Sequence, residues 1–264
     1  ERNEINEYHC NIVPSRIDKL LYDARFSLGL GIKGIYYDCF EQFRDWNYLM
    51  DEAAVRRPDG SICNAVNRFF QWRDLAKRTA TLCYLNGGMA FDRPFVEIHA
   101  TSFQILPVLS FCSTALLMER GSQGGEFQDR YNESYLLTDI TGRQSGVVPR
   151  LIVTTYVGDG ERKQRELRSL FGLMCAIGVF SLCDQGIVRA DWFDRAWNAV
   201  FDNGWGKPGS DMHWYYDGKP QPVTHNGKDV RVNVCRRGDS ALLAFGNFGD
   251  AETVAFDAAG LDFG

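Results

Sequence analysis

Five short apolar runs, separated mainly by helical stretches, constrain this chain more than any other feature. They are IKGIYYD (32–38), PFVEIHAT (94–101), TALLMERG (114–121), PRLIVTTYV (149–157) and VFSLCD (179–184). Around and between them, apolar residues recur near the 3.6-residue period of a helix: Leu20, Leu21, Ala24 and Leu28; Val66, Phe69, Phe70, Ala76, Ala80 and Cys83; Leu167, Leu170, Phe171 and Met174; Phe193, Ala196, Trp197 and Val200. Strands that are apolar throughout and alternate with helices predict a parallel sheet covered on both faces, an α/β fold. No glycine-rich phosphate loop follows a strand, so a closed (β/α)8 barrel is favoured over a doubly wound sheet.

The ends of these runs carry the chemistry. Four of the five finish on or near a residue of catalytic type: Asp38, His99, Glu119 and Asp184. In a parallel barrel the C-terminal strand ends converge on one site. Asp38 is the leading catalytic candidate, as nucleophile, base or orienter. Its structural alternative is an Asp that caps the next loop or pairs with Arg44. Glu119 is the second catalytic candidate, with an ion pair to Arg120 as the alternative. Two carboxyl groups about 5–5.5 Å apart suit retaining glycoside hydrolysis, and about 6.5–9.5 Å suits inversion. The segment after Asp38, residues 39–63, is long and aromatic, and ends near the turn signal Pro58-Asp59-Gly60. It supplies Glu41, an acid/base alternative, and Arg44 and Trp46 as substrate-binding candidates. Tyr37, His99 and Asp184 complete the substrate-binding set. Glu97, two residues before His99, faces the same side but lies deeper, as a supporting partner or a buried charge.

Helix signals frame the first strand. Pro14 and Ser15 open a helix, with Ser15 and Asp18 spaced as a capping box, and Gly29 and Gly31 close it. After about residue 205 the pattern changes. Asp217-Gly218, Asn226-Gly227, Gly238-Asp239 and Gly249-Asp250 are turn signals, and VRVNV (230–234), ALLAFGN (241–247) and TVAFD (253–257) read as antiparallel strands between them. Residues 1–208 are expected to form a partial catalytic barrel. Residues 209–264 are expected to form a small antiparallel β-sandwich that is only partial.

Composition excludes several classes. A net charge of −5 without a basic patch argues against nucleic acid and anionic membranes as partners. ERKQRELR (161–168) is mixed in sign and reads as a solvated helix face. No apolar run approaches the roughly 20 residues of a membrane span. Eight cysteines form no CxxC pair, and four histidines form no HxH or HExxH pattern, so neither metal nor cofactor is expected. The cysteines inside apolar runs read as buried free thiols. The opening ERNEINEYHC has neither the basic nor the apolar region of a signal peptide, and the chain reads as starting in mid-protein. A secreted or periplasmic location and a cytoplasmic one both stay open.

The order IKGIYYD, FRDW, PDG, VEIHAT, ALLMERG, GRQSGVVPRL and LLAFGN resembles the uncharacterised bacterial glycoside-hydrolase-like TIM-barrel proteins related to glycoside hydrolase family 123, the N-acetyl-β-galactosaminidases. The resemblance covers about residues 15–260. It implies a TIM-type barrel followed by a C-terminal β-sandwich, with IKGIYYD as the fourth barrel strand. The five runs then correspond to strands 4–8. In that family an Asp-Glu pair ends the fourth strand; the Asp orients the substrate's acetamido group and the Glu is the general acid. Here Asp38 is followed by Cys39. The resemblance therefore carries over Asp38 alone. It implies a glycoside hydrolase acting on a carbohydrate; the alternative is a non-catalytic glycan-binding protein on a degenerate barrel.

Overall fold

A computed structural model describes residues 12–38, 40, 44–45, 56–62, 66–90, 92–100, 104–118, 127, 131–143, 145–153, 160–180, 182–184 and 191–262; for 44–45, 66–67, 152–153, 162–163 and 182–184 it describes the backbone alone. The chain is mixed α/β, with parallel strands and separate antiparallel sheets. It divides into two compact units, residues 1–117 with 142–148, and residues 118–141 with 149–264. The boundary expected at 208/209 falls inside the second unit.

In the first unit, helix α1 (Pro14–Gly29) buries Ile17, Leu21, Ala24 and Leu28, a stripe at helical spacing. The residue at its N-terminal boundary is Val13, and Pro14 occupies the first turn. Ser15 and Asp18 thus lie inside the helix and do not form the expected capping box. Asp18 instead meets Arg78, at 3.0 Å. Strand β1 (Ile35–Tyr37) is shorter than the run that predicts it. Gly34, just before it, lies so close to the Phe95 ring that a Cβ would come within 2.5 Å of it. A ribbon of β2 (Arg44–Asp45) and β3 (Val66–Asn67) comes next, so helix α2 (Phe69–Leu85) starts later than its apolar period suggests. Helix α2 buries Leu75, Ala76, Thr79, Ala80 and Cys83. A second ribbon, β4 (Met89–Ala90) with β5 (Arg93–Pro94), leads into β6 (Val96–His99). The short helix α3 (Leu106–Leu109) precedes β7 (Thr114–Leu117).

Strands β1, β6 and β7 are parallel and in order. Every residue of β6 is buried, as a central parallel strand requires. The register sets Tyr36 beside Glu97 and Glu97 beside Thr114, and on the opposite face Tyr37 beside Ile98 and Ile98 beside Ala115. Side chains paired in this way share a face.

In the second unit, a short helix α4 (Glu133–Tyr135) runs into a single π-helical stretch, Leu136–Ile140. Strands β8 (Val148–Val153) and β9 (Leu182–Asp184) are parallel. Helices α5 (Gly160–Ile177) and α6 (Asp191–Asn203) follow the predicted periods. The C-terminal part is antiparallel, as expected. Strand β12 (Val230–Arg237) pairs with β10 (Asp211–His213) and with β13 (Ser240–Asn247). The two-residue loop Gly238-Asp239 closes the β12–β13 hairpin, with Gly238 at φ +60°, a conformation glycine adopts without a Cβ penalty. TVAFD contributes only β14 (Phe256–Asp257), which pairs with β11 (Thr224–His225) in a separate ribbon. Val223, Val230, Val232 and Val234 form the apolar core there. Strand β13 crosses α5 at Gly246, where a Cβ would meet Ala176 at 2.4 Å and the Gly172 carbonyl at 2.6 Å.

Helix α5 ends on Gly178, whose φ is +70° and whose N–H bonds the Met174 carbonyl at 2.8 Å. A Cβ there would fall 1.7 Å from the Trp214 ring. Gly178→Ala combines left-handed strain of about 1 kcal/mol with overpacking of about 1–3 kcal/mol. A loss of about 2–4 kcal/mol in urea unfolding is expected; a variant within about 0.5 kcal/mol of wild type would show that Trp214 moves aside.

Cys83, Cys112, Cys175 and Cys235 are free and buried, as the apolar runs around them predict. Burial pushes the Cys112 and Cys175 thiols up to about 12 from an ordinary 9.0. Burial also raises the Tyr37 phenol to about 12. The unfolded chain gives up these protons from pH 9.0 upward while the folded chain keeps them. Stability is therefore fully present below that pH and falls as pH rises toward about 12. Urea midpoints are expected to drop between pH 8 and pH 10; a flat or rising midpoint would contradict the burial.

Candidate functional site

The polar groups at the ends of β1 and β6 converge. On a strand, residues two apart share a face, so Tyr36 and Asp38 lie together and Tyr37 points the other way. The Tyr36 hydroxyl donates to Asp38 Oδ1 at 2.9 Å. His99, the last residue of β6, brings Nδ1 to the same Oδ1, also at 2.9 Å. With the carboxylate ionised, only Nδ1 can donate in this contact. Burial differs sharply between the partners: the His99 side chain is 7% exposed and that of Asp38 is 65% exposed. The carboxylate is therefore the solvent-facing partner, and the imidazole stands behind it. Two donors on one oxygen of an exposed carboxylate suit a nucleophile, base or orienter.

Glu97 is buried on the same face, one step deeper along β6 than His99, as the alternation predicts. Thr114 continues that row on β7, and its buried Oγ1 has no hydrogen-bond partner among the described residues.

Other sequence candidates fall differently. Tyr37 lies on the α2 face, where its hydroxyl shares a 2.8 Å hydrogen bond with Thr79. There it packs toward α2, and it is Tyr36 that shares the Asp38 face. The spacing of two from Asp38 was the signal for Tyr36; it decides only once α2 identifies the other face. Asp184 closes β9, the strand-end position expected of it, and Arg44 lies on β2. Glu119, Glu41 and Trp46 lie outside the described residues. Met118, directly before Glu119, is held at φ +69°, and its carbonyl accepts from the Tyr131 hydroxyl at 3.2 Å. Left-handed backbone on a non-glycine residue costs on the order of 1–3 kcal/mol and tends to mark functional turns. Trp205 packs edge-on against Phe180 and Trp214, with centroids 5.3 and 5.6 Å apart, so its ring is part of an aromatic cluster.

Among the described residues no cluster of three His, Cys, Asp or Glu is placed to hold a metal ion, and no helix is long and apolar enough to cross a membrane. No protein-family model, no curated protein and no solved structure matches the chain.

Proposed function

We propose that the chain is a glycoside hydrolase in which Asp38 is the working carboxylate. The observation that carries this reading is a largely exposed carboxylate held through one oxygen by Tyr36 and His99 at the ends of parallel strands. Hydrolysis of a glycosidic bond needs one ionised carboxylate and one proton donor. Asp38 has the first role. The second falls to Glu119, or alternatively to Glu41. In this reading the parallel strands are about the fourth to eighth of a (β/α)8 barrel, the antiparallel strands belong to an appended β-sandwich, and Arg44, Trp46 and Asp184 bind the carbohydrate. The resemblance to the barrels related to glycoside hydrolase family 123 and the strand-end position of Asp38 support this assignment.

One observation favours a second reading, a glycan-binding protein without turnover: Cys39 stands where an acid would complete an Asp-Glu pair. The two are separated by incubating the full chain with a panel of natural and aryl glycosides and measuring both bound glycan and released sugar. Release that is lost in Asp38→Asn and reduced in Glu119→Gln or Glu41→Gln supports the hydrolase. Wild-type turnover in both Asp38→Asn and Glu119→Gln overturns the assignment. Binding without release favours the second reading.

A further inference from the structure

We propose that His99 is the positioning residue of Asp38 and acts through Nδ1, not through Nε2. This rests on Asp38 being the working carboxylate. Asp38 follows a strand of only three residues and its side chain is largely exposed. His99 is the opposite case: it ends a strand that pairs on both sides, and it is buried. A bond from the buried partner to the exposed one sets the carboxylate's rotamer. Both His99 Nδ1 and the Tyr36 hydroxyl bond Oδ1, so the pair constrains the carboxyl rotamer through that oxygen. The 7% exposure of the imidazole against 65% for the carboxylate argues against His99 as the group that meets substrate.

The two ring nitrogens can be told apart by substitution. Asparagine places its amide nitrogen near the position of Nδ1, and glutamine near that of Nε2. His99→Ala is expected to lower kcat by about 10–100-fold with KM little changed, in line with the loss of a positioning partner. His99→Asn is expected to recover most of that loss and His99→Gln to recover little. Recovery by Gln and not by Asn would overturn the proposal, as would wild-type kcat in all three variants. If His99→Ala fails to fold, the Asn and Gln pair carries the comparison. A second readout does not depend on turnover. In nitrogen-edited proton spectra, the wild-type His99 Nδ1–H is expected to be protected from exchange, and Asp38→Ala should abolish that protection. An unprotected Nδ1–H in wild type overturns the positioning role even if Asp38 is catalytic. A protected one in a chain that cleaves no glycoside keeps the contact and removes only the hydrolase reading.

Discussion

Asp38→Asn is expected to lower kcat on any cleaved glycoside by about a thousandfold or more, while leaving the thermal midpoint within a few degrees of wild type. The substitution isolates charge from geometry. The asparagine oxygen can still accept from the Tyr36 hydroxyl and from His99 Nδ1, both 2.9 Å from the native Oδ1. Packing is barely touched, because the side chain is 65% exposed. What disappears is the negative charge that would attack, or stabilise, an oxocarbenium-like centre. Asp38→Ala removes both the charge and the acceptor, so it should be no less damaging to turnover and should also release His99. A drop of less than tenfold in Asp38→Asn, measured with an aryl glycoside the wild type cleaves, would move the chemistry to another carboxyl group. If the chain only binds glycans, the same substitution shows itself as weaker binding, with no product from wild type either.

The convergence of Asp38 and His99 could be read from the chain, and what could not be read has a physical reason. Asp38 and His99 were legible because each ends an apolar run, and parallel strand ends lie side by side. The choice between Tyr36 and Tyr37 was not. Alternation says only that they face opposite ways; which way is inward depends on Thr79 of α2, 42 positions along the chain. Local signals also lose to tertiary ones at Ser15 and Asp18, where a capping pattern lies inside a helix and Asp18 pairs with Arg78 instead. Nothing in VRVNV marks Asn233, polar in an otherwise alternating strand, as buried, yet it is wholly buried.

Asn233→Leu is accordingly expected to cost about 3–5 kcal/mol, from three hydrogen bonds lost, two of them fully buried, and their backbone partners left unmet. The last carbonyls of a helix have no partner within it. At the end of α5, Asn233 Nδ2 donates to the Cys175 carbonyl at 2.7 Å and to the Ala176 carbonyl at 2.9 Å. Its Oδ1 accepts the Tyr215 backbone N–H at 3.1 Å. Two acceptors and one donor meet one primary amide, and only one orientation of that amide serves all three. Leucine fills nearly the same volume, so the loss measures hydrogen bonding more than a cavity. Asn233→Asp should be at least as costly near neutral pH, because a carboxylate faces two carbonyls at the negative end of the helix dipole. Protonation restores one donor, so that variant should regain stability as pH falls toward 4. Urea unfolding followed by tryptophan fluorescence reads both effects. A loss below about 1 kcal/mol in Asn233→Leu would mean that water reaches the end of α5 and replaces the amide.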